Sequence, residues 1–580
     1  MFLMPYMAHF GIPFDTLDLA KQSMPDDLQQ FNLIILSHKD LANGDAGKKQ
    51  NLDKQISQAL KEGCGVVSFD ASLATASDSI PAASASASDT LQFADDKHFI
   101  TENHRPGEKL KLFGMLGLPS MPSFNGKGLI FSNNQPLLYV REENGGRIAQ
   151  WTSAEWMQLK ILGPIGGLDD CLWRSIVWAA KKPFVMRGLP PIVTMRVDDV
   201  LGSGERWKKS PLYWVETANK YGLKPWLGLF IYNLKPNTID ELRGYIQSGN
   251  AVAFPHGFGR PMRANNPPYG SKSRYIGQRP NQEQLDSGLY YNPKALPLRA
   301  LEDDEYIYYD HHNARPWSDA EAKRGLEAVD QWYEDNKPLP MSKYFLAHWG
   351  EVGSNTIEHI SKKWGIEFIS YKKPVDKPWA DTILWNKQGP FRYYEKQGTS
   401  TNATTPGLMG GRPTYYADFF EVNGHRFFNC VTEIKDVAGY EWAPDNDVKA
   451  TADRGVRMLS RALNSMAPAF LFTHETDFIY RITPENWDKE LQLVTEGIKS
   501  FKPMYLTIDD GVRLVRTTKT SKLENIKFNS ADNSLQVGLS GKTDVTSYFY
   551  LFTEKEGTIE HELVQVPVFN DKTEVTTKLK

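Results

Sequence analysis

Short apolar runs divide the first third of the chain. FNLIILS (31–37) is apolar throughout, as a strand buried on both faces would be, and LDKQISQALKEG (52–63) repeats its apolar positions at helical spacing before stopping on Gly63. GVVSFD (65–70) and GRIAQWT (146–152) read as further strands, and DDCLWRSIVWAAKK (169–182) as an amphipathic helix. Residues 72–96 are rich in Ser and Ala and poor in bulky apolar groups, which predicts an exposed loop. Strands alternating with helices predict an α/β domain over residues 1–187, built on a doubly wound parallel sheet.

GLPPIV (188–193) reads as a Pro-Gly hinge. Beyond it, apolar runs recur at wide intervals: IVTMRVD (192–198), WLGLFI (226–231), AVAFPH (251–256), YFLAHW (344–349), IEFISY (366–371), AFLFTH (469–474) and MYLTID (504–509). Helical periodicity lies between several of them, most clearly in IDELRGYIQSGN (239–250) and DAEAKRGLEAVDQWYEDN (319–336), the latter with Ser318 as its N-cap. Seven strand–helix repeats over 188–515 predict a (β/α)7 barrel, interrupted by long inserts at 257–305 and 373–450. Residues 516–580 change to short alternating strands such as SLQVGLSG and SYFYLFT, the pattern of a small β-sandwich.

A length of 580 residues agrees with about three to four domains, at roughly 150 residues each. Lys+Arg 67 against Asp+Glu 70 gives a net charge of −3 with no basic run, which excludes a chain-wide nucleic-acid footprint. No apolar stretch approaches the ~18 residues of a transmembrane helix. The opening MFLMPYMAHFGIPFD lacks the basic, apolar and small-residue segments of a signal peptide. Three cysteines, Cys64, Cys171 and Cys430, are too few for a disulfide framework or a thiolate zinc site.

The chemistry concentrates at predicted strand ends. Asp198 and Asp199 close IVTMRVDD, where barrel enzymes place catalytic groups. His256 ends AVAFPH, His474 ends AFLFTH, and His311, His312 and His348 lie in the same region, so five of the 12 histidines gather there. Any one histidine is more often structural; the set of Asp and His at one rim points to a metal or acid–base site. Gly63-Cys64-Gly65 invites a nucleophile reading, but Cys64 follows a helix and precedes its strand, the wrong end for a nucleophile elbow. Thr507-Ile-Asp-Asp-Gly511 is a second Asp pair, read as a strand end and turn.

These segments resemble the NodB-homology domain of polysaccharide deacetylases, carbohydrate esterase family 4. That family's T-F-D-D-G motif corresponds to Val197-Asp198-Asp199-Val200, and its L-x-H motif to Phe472-Thr473-His474. Its H-[ST]-x-x-H motif is split here: His256 matches the first histidine, Arg260 stands where the second is expected, and His311-His312-Asn313 resumes the match seven residues before Ser318. Ala347-His348-Trp349-Gly350-Glu351 corresponds loosely to R-x-P-Y-G, without its Arg and Pro. The region before residue 188 resembles the flavodoxin-like domains of class I glutamine amidotransferases, and the three-part order resembles microbial exopolysaccharide deacetylases.

The resemblance implies Asp198 as general base, His474 as general acid, and Asp199, His256 and His311 (rival His312) as ligands of one divalent metal, Zn²⁺ first, with Co²⁺, Ni²⁺ or Fe²⁺ as alternatives. Arg260, His348 and Trp349 would contact substrate. The activity implied is hydrolysis of N-acetyl, or O-acetyl, groups on a polysaccharide or oligosaccharide, in a secreted or periplasmic setting. Two other classes compete: a glycoside hydrolase using Glu351 or Glu475 with Asp198, and a non-catalytic carbohydrate-binding protein.

Overall fold

The computed structural model describes the chain except residues 1–2, 23, 26, 29, 39, 43, 71–86, 120–124, 159–160, 260–305, 310–316, 349–351, 370–415, 423, 431–441 and 580. It is a mixed α/β protein in two compact units: residues 1–190 with 464–466 and 517–580, and residues 191–463 with 467–516.

The first unit opens with helix α1 (Met4–Phe10), ended by Gly11 in the left-handed conformation. Strand β1 (Leu33–Leu36), helix α2 (Ala46–Lys61) and strand β2 (Gly65–Ser68) follow. Gly65 is required there, because a Cβ would stand 1.9 Å from the carbonyl oxygen of Ala179. Strands β3 (Ser88–Phe93), β4 (Lys109–Leu116), β5 (Lys127–Ser132), β6 (Gln135–Glu143) and β7 (Gly146–Trp151) complete a seven-stranded sheet in the order β1-β2-β7-β6-β5-β3-β4, before helix α3 (Asp169–Ala179).

Two expectations are corrected here. Only β1, β2 and β7 run parallel; the other neighbours pair antiparallel, so the sheet is not a doubly wound parallel one. The cause is local. Asn133-Asn134 and Asn144-Gly145 all have positive φ, as two-residue hairpin turns require, and they fold β5, β6 and β7 back on one another. In addition, residues 88–93 of the expected 72–96 loop form β3; 72–86 lie outside the described residues.

Strand β8 (Phe184–Met186) precedes the hinge segment. The second unit then holds β9 (Ile192–Val200), α4 (Tyr213–Lys220), β10 (Pro225–Phe230), α5 (Pro236–Gln247), β11 (Val252–Gly257) and α6 (Asp319–Asp335). Ser318 caps α6 in a reciprocal capping box with Glu321. Next come β12 (Tyr344–Phe345), β13 (Phe368–Ile369), β14 (Asp418–Val422), β15 (His425–Asn429), α7 (Val448–Asn464), β16 (Ala469–His474), α8 (Pro484–Gly497), β17 (Met504–Tyr505) and α9 (Ile508–Thr520).

Strands β11, β10, β9 and β16 run parallel in that order, with β17 beside the start of β9. A second sheet has the order β12-β13-β15-β14. No closed barrel is present among the described residues, so the (β/α)7 expectation reduces to parallel strands with intervening helices. The 373–450 insert includes the β14–β15 hairpin and the start of α7. Thr507-Ile-Asp-Asp-Gly511 is a helix start rather than a turn: the Thr507 hydroxyl accepts from Asp510 N at 3.2 Å and donates to its carboxylate at 2.7 Å.

The C-terminal strands β18 (Ser521–Asn529), β19 (Ser534–Lys542), β20 (Ser547–Lys555), β21 (Thr558–Val566) and β22 (Asn570–Lys578) belong to the first unit. They form two three-stranded sheets, β18-β19-β22 and β21-β20-β8. Leu523, Val537, Phe549, Leu551 and Val185 from both sheets share one apolar core. No helix among the described residues is long and apolar enough to cross a membrane.

Candidate functional site

In a regular strand, adjacent side chains point to opposite faces. Asp198 and Asp199 escape that rule through a bulge. Leu227 of β10 pairs with Val197 and Leu229 with Val200, so two residues of β9 stand opposite Gly228 alone. Asp199 absorbs the kink with φ of 58°, a left-handed value that costs a non-glycine residue about 1–2 kcal/mol. The bulge re-aims the second carboxylate, and both now approach one imidazole: His256 Nε2 is 3.7 Å from Asp198 Oδ2 and 3.6 Å from Asp199 Oδ1.

His256 is itself the extra residue of a second bulge, since Leu229 pairs with Pro255 and Phe230 with Gly257. Gly228 makes room for it; a Cβ there would meet His256 Cβ and Cγ at 3.1 Å. His256 Nδ1 lies 2.9 Å from the carbonyl oxygen of Leu346, an acceptor only, so Nδ1 carries the proton and Nε2 presents its lone pair to the two carboxylates. The segment that orients His256 also supplies His348, whose Nδ1 is 3.2 Å from Asp199 Oδ1.

Asp199, His256 and His348 are all buried, and one ligand atom from each lies within 4.8 Å of the others. Asp199 Oδ1 is buried and accepts no well-formed hydrogen bond, although two imidazole nitrogens flank it. Distances of 3.2 and 3.6 Å match the edges of about 3.3 Å expected when N and O ligands bind at ~2.0–2.1 Å around a tetrahedral cation. Electrostatics agree. Burial pushes His256 down to about 4, against the carboxylates, keeping it neutral. Burial alone would raise the Asp199 carboxyl, but His348 first, and then His474, hold it well below the usual carboxylate range. The donor set therefore fits a divalent cation.

Asp198 is not part of that group. Arg196, two residues earlier on the same strand face, grips it with Nε to Oδ1 at 3.0 Å and Nη2 to Oδ2 at 3.0 Å. The guanidinium in turn lies 3.6 Å above the Phe472 ring. His474, half-buried, pairs with Asp198 in the β16–β9 register, so both stand at the same strand end.

Glu475, weighed as a glycosidase carboxylate, is turned the other way. It is fully buried and accepts from the backbone of Leu201, Gly202 and Ser203, the Ser203 hydroxyl and Trp214 Nε1. Those bonds tie the loop after β9 to the end of β16 and leave it a structural anchor. Arg260, His311, His312, Trp349 and Glu351 lie outside the described residues. His348, expected to contact substrate, is the histidine brought to Asp199 and His256. Sequence reasoning missed Arg196 as the partner of Asp198; its signal was the i, i+2 spacing on one strand face.

A second group that can hold a cation lies in the first unit: His104, Asp170 and Cys171. His104 Nε2 is 3.1 Å from Asp170 Oδ2, and its ring stacks on Phe93 with centroids 3.9 Å apart. Burial opposes charge on His104, but Asp170 outweighs it and raises the imidazole well above its ordinary value. Burial pushes the Cys171 thiol up to about 12. This group reads as a buried imidazolium–carboxylate pair beside a protonated thiol. Cys64 is likewise buried, its thiol pushed up to about 11 by desolvation.

No protein-family description matches the sequence, and no curated protein matches it. Among solved structures, a cytoplasmic protein from Salmonella typhimurium aligns at 14% identity over 31% of this chain and 87% of its own, with a TM-score of 0.23. A likeness of that strength carries no argument, and the reading below rests on the site.

Proposed function

We propose that the second unit is a metal-dependent carbohydrate deacetylase of NodB-like barrel type, hydrolysing N-acetyl or O-acetyl groups on a polysaccharide or oligosaccharide. The observation that carries this reading is the pair of bulges, at the ends of β9 and β11, that brings Asp198, Asp199 and His256 together, with His348 beside Asp199 and His474 paired with Asp198. Asp199, His256 and His348 would hold the cation, Zn²⁺ first on the chemistry of an O, N, N donor set. When bound, it supplies Lewis acidity that acidifies a water and polarises an acyl oxygen.

The chain's own residues do the rest. Asp198, its plane fixed by Arg196, takes a proton from water as the water oxygen bonds to the acyl carbon. His474, protonated, gives its proton to the departing nitrogen as the C–N bond breaks, because an amide anion is too basic to leave alone. The products are acetate and a free amine. Leu346 holds His256 in the tautomer that keeps Nε2 for the site.

The test is acetate release from an N-acetylglucosamine oligomer. Asp198→Asn is expected to keep metal and lose about 10²–10⁴-fold in turnover. His348→Ala and His256→Ala are expected to lose stoichiometric zinc while remaining folded. A His348→Ala protein that binds zinc with parental affinity would remove His348 from the ligand set. Chain cleavage without acetate would replace the reading with a glycosidase.

A further inference from the structure

The parallel ladder between β9 and β16 ends on the pair Asp198 and His474. Past that pair β9 is kinked at Asp199, with its φ of 58°, and the ladder stops. The next residue after His474 is Glu475. His474 is extended, with φ −115° and ψ 143°, so the two side chains turn to opposite sides: His474 half-buried, Glu475 fully buried.

Glu475 takes over where the ladder ends. Its Oε2 accepts from the backbone N–H of Leu201 at 2.6 Å and of Gly202 at 3.1 Å. Its Oε1 accepts from the Ser203 N–H at 2.7 Å, the Ser203 hydroxyl at 2.8 Å and Trp214 Nε1 at 2.9 Å. Three successive N–H groups on one anion form a nest, and Gly202 supplies its left-handed turn with φ of 83°. Trp214 is itself fixed, because its carbonyl accepts from Trp487 Nε1 of α8 at 3.0 Å. A buried carboxylate with five donors is a strong tie anywhere in a protein. The place of this one gives it a further part: it is one residue past His474 and grips the chain two residues past Asp199.

We propose that Glu475 is a positioning residue that keeps His474 level with Asp198 by holding the chain that follows Asp199. This rests on the deacetylase reading, in which His474 is the acid, and adds the group that aims that acid. A proton donor has to come within about 2.6–3.2 Å of the departing nitrogen, and a displacement of ~1 Å can cost about 10²-fold in rate. Glu475 touches no reacting atom. It acts through one peptide unit on the β16 side and through the nest on the β9 side.

The experiment uses the full chain with zinc and two substrates, an N-acetylglucosamine oligomer and an aryl acetate. Glu475→Gln keeps the shape, but its NH₂ cannot accept from the N–H groups of Leu201 and Gly202. Its kcat on the oligomer is expected to fall about 10²-fold at nearly constant KM. The loss on the aryl acetate, whose leaving group departs without a proton, should stay below about fivefold. Crystal structures of parent and variant are expected to show the His474 imidazole displaced from Asp198 by ~1 Å. Ser203→Ala and Trp214→Phe each remove one donor and keep the carboxylate, so they carry the test if Glu475→Gln does not fold. Each should lose roughly two- to fivefold on the oligomer and less on the ester. Equal losses on both substrates, or an imidazole that stays in place, would overturn the positioning role. A parent that releases no acetate, with the imidazole still displaced in Glu475→Gln, would overturn the deacetylase reading and leave the positioning role standing.

Discussion

Glu490, on α8, is fully buried, and neither carboxyl oxygen has a hydrogen-bond partner. Burial, then the charge of Asp445, raises the group to about 9 from 4.5, with Arg454 opposing. In the unfolded chain the proton leaves above 4.5, whereas in the folded chain it is kept until about 9. Folding stability therefore falls as pH rises through that window. Glu490→Leu removes the buried acid and should flatten the slope. Relative to the parent, the variant is expected to gain about 1–4 kcal/mol more at pH 8 than at pH 5, measured by urea unfolding. An equal difference at the two pH values would show that Glu490 does not titrate this way. At the same scale, Asp198, Asp199, His256 and His474 were legible because they end apolar runs. Which histidine approaches Asp199 was not, because it depends on where the short β12 segment lies against β11, and no local pattern encodes that packing.

Elements with strong periodicity were legible and irregular ones were not. β1, β2, β7, β9, β10, β11 and β16 are apolar runs that any parallel sheet would bury, and Ser318 announced α6 through its capping box. β12 and β17 shrink to two residues each, because their apolar runs continue as irregular chain or turn into a helix. The bulges of β9 and β11 leave no mark in a hydropathy pattern, yet they build the site. Gly228 is the element-level hinge of that arrangement. In Gly228→Ala, the new Cβ would meet Trp226 Cζ3 at 2.9 Å and His256 at 3.1 Å, both parts of packed, buried side chains. The ring of His256 should move off its Leu346 anchor. Zinc affinity is expected to fall about 10–100-fold, the usual cost of disturbing the support of a ligand, while far-ultraviolet circular dichroism stays native. Unchanged zinc affinity would mean that β10 yields and the bulge does not need the glycine.

At the scale of the whole molecule, each unit holds, among the described residues, one group able to bind a cation, and their chemistry differs. In the second unit the donors are one carboxylate and two imidazoles, with His256 neutral and its Nε2 unprotonated. In the first, His104 is protonated against Asp170 and the Cys171 thiol holds its proton, so a cation would have to displace two protons from buried groups. One equivalent of metal at pH 7 should therefore enter the second unit. Cobalt substitution reads this directly, because only a thiolate ligand gives a strong near-ultraviolet charge-transfer band. The cobalt protein is expected to show visible ligand-field absorption without that band. Cys171→Ser should leave the spectrum unchanged, and His256→Ala should abolish it. Chelation should then stop acetate release, and added zinc should restore it. A charge-transfer band that disappears in Cys171→Ser would place the cation in the first unit, and the bulged Asp-His group would need another explanation than metal binding.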